Sequence, residues 1–149
     1  MPINLILTGL VLWGVLVPFQ PQAPVFQNKT AIVARIGNNN YKLEIADSMS
    51  KRGRGLSWRK SLPTDQGMLF LFDQPGQYHF VMDGMRFPLD FIWLNDGTVV
   101  DLKDNVPPLK ANQPSINLTA KNKFDQAIEL NAGEIEKSGL KIGNRVTYF

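Results

Sequence analysis

A chain of 149 residues with 44% hydrophobic and 19% charged side chains is long enough for one globular domain with a core and short for two. Its net charge of +3 favours anionic surroundings without demanding nucleic acid, and its lack of cysteine excludes disulfides, thiolate metal sites, thiol nucleophiles and a lipidated cysteine. The 10 Pro and 12 Gly favour short strands joined by turns over a helical bundle.

No ionisable side chain precedes Lys29, and INLILTGLVLWGVLVPF, residues 3–19, is apolar apart from Asn4 and Thr8. As a helix this segment covers about 25 Å, between the length of a signal-peptide core and that of a thin membrane anchor. A basic n-region is missing, and the one small residue downstream, Ala23, is followed directly by Pro24, which makes a poor cleavage site. The expectation is an uncleaved anchor over residues 1–19, a Pro-rich linker over 20–28 and one β-rich domain over 29–149. That domain is expected outside the cytoplasm, periplasmic or cell-surface, and secreted if the segment is cleaved.

TAIVARI (residues 30–36) and YKLEIA (41–46) flank Gly37 and an Asn run, and predict a hairpin. Asp47 or Ser48 offers an N-cap for a short helix with Met49, Gly53 and Leu56 on one face. Strands are predicted at MLFLF (68–72), YHFVM (78–82), PLDFIWL (88–94) and TVVDL (98–102), with Asp96-Gly97 as a tight turn between the last two. A Pro-containing loop leads to FDQAIEL (124–130). Asn131 with Glu134 three residues on predicts a capping box for a one- or two-turn helix ended by Gly139, and NRVTYF closes the chain as a strand. The fold class expected is mainly β (α+β), a barrel-like or rolled antiparallel sheet with two short helices.

The motifs ADS, RGL with Arg59, GMLFLF, HFVM, FPLDFIWL, NVPP, IELNAG and KIGNRV, in that order, resemble the uncharacterised prokaryotic family called domain of unknown function 192, over roughly residues 43–146. The resemblance implies a compact β-rich domain, commonly behind a signal or anchor segment, with no established activity. It carries over at Arg54, Arg59 and Asp90. Members carry Trp, Asp and Glu where this chain has Val81, Asn144 and Lys51.

Asp90 poses the sharpest chemical question, because it lies within the apolar run FPLDFIWL and shares a strand face with Ile92 and Leu94. A buried carboxylate without a partner costs several kcal/mol, and a clamp to Arg54 or Arg59 is the expected remedy. KRGRGLSWRK, residues 51–60, has five basic residues and no acid. With Trp58 and the NVPPLKANQPS loop it makes a candidate pocket for a small anion or carbohydrate, lined by Arg54, Arg59, Trp58 and Asp90. The same basic residues are also suited to anionic headgroups. His79, Met82 and Met85 are soft-ligand types, but on a strand His79 and Met82 project from opposite faces, so no metal or other cofactor is expected. A lone histidine and the lack of a GxSxG motif leave a Ser-His-Asp hydrolase without its parts.

The function read from the sequence is a membrane-tethered extracytoplasmic binding or scaffolding module that does no chemistry. The alternative is a hydrolase or lyase using Asp90 with a second carboxylate. Membrane contact runs through the N-terminal segment, no nucleic-acid partner is expected, and the oligomeric state is left open.

Overall fold

A computed structural model describes Phe26 and residues 28–149; the expected anchor and most of the expected linker lie outside these residues. Strand β1 (Ala31–Ile36) turns at Gly37-Asn38 into β2 (Asn39–Ala46), with Ile36 opposite Asn39. Gly37 has φ +56°, a left-handed value that tight hairpin turns assign to glycine. Ser48 caps α1 (Met49–Arg54) by accepting from the Lys51 amide at 3.3 Å. The crossover containing α1 delivers β3 (Gln66–Gly76) parallel to β2, a pairing that a tight hairpin turn is too short to make. Strands β4 (Leu89–Asn95) and β5 (Thr98–Val106) form a hairpin through Asp96 and Gly97, both with positive φ. After β6 (Phe124–Asn131) come α2 (Glu134–Ser138) and the short β7 (Thr147–Tyr148).

The fold is mainly β, as expected: one seven-stranded sheet, curled into a half-barrel, with the order β5-β4-β6-β3-β2-β1-β7 and two short helices. The segment before β7 reaches across the curl to the far edge. There Gly143 donates to the Val99 carbonyl and Val99 to that of Asn144, each at 2.9 Å.

Strand alternation divides the buried side chains into two cores. Leu43, Leu69, Ile92, Leu94 and Ile128 fill the inner face, which Ile135 and Leu140 help to close. Phe70, Phe91, Trp93 and Phe124 fill the outer face, beneath Leu56, Phe80 and Met82. Strand β4 is therefore covered on both sides, which accounts for its nearly unbroken apolar sequence.

Three local expectations are corrected. Residues 78–82 keep strand-like alternation, with Phe80 and Met82 buried and His79 and Val81 exposed, but they lie across the outer face and pair only through a Phe80–Leu118 bridge. Helix α1 buries none of its residues, and Met49 is 84% exposed; the apolar anchor of this region, Leu56, lies just beyond the helix. Asn131 does not cap α2. Its side-chain amide donates to the Leu62 carbonyl at 2.8 Å, and Gly133 occupies the cap position without a side-chain bond.

Candidate functional site

Asp90 is completely buried on the inner face, and its carboxylate is held by backbone. One oxygen accepts from the Asn105 amide and the other from the Ile135 amide, both at 2.8 Å. Asn105 lies opposite Asp90 where the β4–β5 register slips, so an amide displaced by the bulge meets the carboxylate. Ile135 lies in the first turn of α2, whose amides have no partner within the helix. The expected clamp to Arg54 or Arg59 is thus corrected, and the reason is strand parity: both arginines cover the outer face, whereas Asp90 points inward. Close by, the Tyr41 hydroxyl donates to Glu134 at 2.9 Å; burial is the main cause that pushes the phenol up to about 12.

Arg59 instead grips Glu44, with two guanidinium nitrogens on the two carboxylate oxygens at 2.6 and 2.8 Å. This fork holds the Glu44 carboxyl below its ordinary range. Arg52 donates to the Leu71 carbonyl at 2.8 Å and lies over the Phe72 ring at 5.1 Å, so its charge is employed against the sheet. Among the described residues, Arg54 makes no ion pair or side-chain hydrogen bond.

Between α1 and the outer face of the sheet lies a cleft of about 290 Å³. Its walls include Phe70, Phe72, Phe80 and Met85, its rim includes Arg54 and His79, and Glu129 belongs to its lining. Glu129 sits on β6 between Met68 of β3 and Phe91 of β4 and is 5% exposed. No hydrogen bond from a described residue relieves its burial. Loss of water pushes its carboxyl up to about 8, against a smaller downward pull from the Arg59 charge. Glu44, Met68, Glu129 and Phe91 lie in register across adjacent strands, which puts the two glutamates about 10 Å apart along the sheet.

The structure brings one of the expected site residues, Arg54, to this cleft. Arg59 lines a neighbouring hollow with Glu44, Lys51 and Arg54. Trp58 is 71% exposed, with its ring against Gly84, where an added Cβ would come within 2.8 Å of it. Asp90 is on the opposite face. Just past the NVPPLKANQPS stretch, Asn117 and Leu118 line a different hollow, with Trp93 and Asp101.

A model of the family DUF192, described as an uncharacterized ACR, matches residues 31–148. The chain belongs to DUF192. A search of the curated proteins finds no match. Among solved structures, this DUF192 chain is similar to a protein from Sinorhizobium meliloti 1021 described as a "putative transcription regulator", with 26% identity and a TM-score of 0.72 over 79% of this chain and 92% of the other. It is also similar to a protein of unknown function from Novosphingobium aromaticivorans DSM 12444, with 25% identity and a TM-score of 0.68 over 78% and 83%.

Glu129 is the site residue that the sequence reading missed. Its signal was present: in FDQAIEL a single acid stands between Ile128 and Leu130, the same pattern of a carboxylate within apolar strand residues that singled out Asp90.

Proposed function

We propose that this DUF192 protein is a membrane-tethered, extracytoplasmic binding module whose cleft takes a small organic anion and does no chemistry on it. The observation that carries the reading is the cleft beneath α1, concave and aromatic-walled, with the unpaired guanidinium of Arg54 at its rim. Such sites join a mostly apolar lining to a few polar groups that orient the ligand. The tether rests on the apolar segment of residues 3–19.

The alternative of a hydrolase or lyase built on Asp90 finds no support, since both carboxylate oxygens are taken by backbone amides within the inner core. The two carboxyls of the outer face do not converge either. Glu44 is gripped by Arg59 and faces the neighbouring hollow, whereas acid–base catalysis needs both groups within reach of one bound molecule.

Benzoate is a suitable probe, being a flat ring with one carboxylate. Titrated at pH 6.5 and followed by NMR, it is expected to shift the signals of Gly55, Ser57, Val81 and Met85 saturably. Arg54→Gln is expected to weaken binding about tenfold, the effect of losing one hydrogen bond between charged groups. The absence of saturable shifts, or shifts confined to remote residues such as Gly143, would refute the reading.

A further inference from the structure

Every other well-buried carboxylate of the described residues has work within the fold. Asp90 holds two backbone amides, and Glu134 accepts from Tyr41 and Lys137. Glu129 has no such employment, yet it sits within the sheet, on the strand between β3 and β4, is 5% exposed and lines the cleft. A buried polar group without a partner is costly, and such groups in native structures are associated with ligand or catalytic roles.

We propose that Glu129 contacts the ligand directly and acts in its protonated form, donating a hydrogen bond from its carboxyl hydroxyl to an oxygen of a bound organic carboxylate. This rests on the cleft being a ligand site and adds the ligand's chemistry: a monoanionic acid with a flat or apolar body, and not an amine.

The surroundings of Glu129 favour that class. Arg52 and Arg54 line the same cleft from α1 and His79 lines it from the segment crossing the outer face, while the charge of Arg59, from the turn beyond α1, acts on Glu129. From β2 comes Glu44, gripped by Arg59; from β3 and β4 come the apolar Met68, Phe70, Phe72 and Phe91. With Glu129 neutral, the cleft holds an excess of positive charge, which attracts an anion and repels a cation. A protonated carboxyl meets an incoming carboxylate as a charge-assisted donor, and an ionised one meets it as a like charge. The upward push on this carboxyl to about 8 keeps it mostly protonated at neutral pH. Above that value, each anion bound takes up one proton.

The test uses the full chain in detergent with three probes that share a ring and differ in charge: benzoate, benzamide and benzamidine. Binding is followed by NMR from pH 6.5 to 9.5. Benzoate affinity is expected to be level up to about pH 7 and to fall nearly tenfold per unit above about pH 8, the linkage of one bound proton. Glu129→Gln, whose amide still donates, should bind benzoate with no such fall. Glu129→Leu should bind it more weakly throughout, and Lys141→Gln, at an exposed position outside the cleft, should keep the wild-type profile. Benzoate bound in the cleft with the same affinity from pH 6.5 to 9.5 overturns the role of Glu129 and leaves the cleft reading standing. Benzamidine binding that tightens as pH rises through 8 overturns it too, making Glu129 a counter-ion for cations. If none of the probes binds in the cleft, both readings fall.

Discussion

Asp90→Asn keeps the shape of the side chain and removes one of its two acceptor atoms, so either the Asn105 or the Ile135 amide faces an NH2 group in place of an oxygen. A donor left unsatisfied inside the protein costs about 1–3 kcal/mol. Urea denaturation of the variant should show a loss of that size, and Asp90→Asn combined with Arg59→Gln should show the two losses adding, since the residues lie on opposite faces and share no partner. Coupling between them would mean that charge reaches Asp90 through the sheet. That Asp90 is buried could be read from its place among Leu89, Phe91 and Ile92. Its partners could not, because one amide arrives from a slipped register in β5 and the other from a helix 45 positions away in sequence. Glu129 carries the same signature, and the difference between a carboxylate that holds the fold and one that opens into a cleft lies wholly in what the other elements bring to it.

At the scale of elements, α2 is held at both ends by parts of the chain distant in sequence. Its first turn gives the Ile135 amide to Asp90, and its last residue offers the Ser138 carbonyl to the Asn38 amide of the β1–β2 turn at 2.9 Å. The turn fits only because Gly37 lacks a side chain: a Cβ there would stand 2.1 Å from the Ser138 carbonyl oxygen. Gly37→Ala should therefore cost about 2–4 kcal/mol, combining overpacking with a left-handed backbone. Gly143→Ala has φ +88° and nothing within 4 Å of the added methyl, so it should cost only the conformational part, about 1 kcal/mol. Chemical denaturation of the two variants separates crowding from backbone strain. The hairpins were legible because Gly37 and Asp96-Gly97 name their turns. Residues 78–82 were misread for the opposite reason: alternation records which side chains are buried and says nothing of whether a neighbouring strand lies within reach.

For the whole molecule, the curl of one sheet creates an inside and an outside that are both apolar, and alternation in β3, β4 and β6 serves both. The mainly β class was readable from turns and periodicity, whereas the strand order depends on a parallel crossover that periodicity does not encode. Placed before this domain, residues 3–19 should carry the chain to the membrane. Fractionation of expressing cells should find the full chain with membranes, and a variant with Leu5, Leu7, Val11 and Leu16 changed to Ser should move to the soluble fraction. Full-length, uncleaved wild-type chain in the soluble fraction would contradict the tether. The cleft has a further property that follows from α1, which contributes one wall while burying none of its own residues. Substitutions at Met49, Gly53 and Arg54 remove nothing from either core, so this wall can vary almost free of the stability constraint that governs Phe70 and Phe80 opposite. In the proposed binding role, this wall is where the cleft can change what it admits while the fold, and the buried Glu129 beneath it, stay as they are.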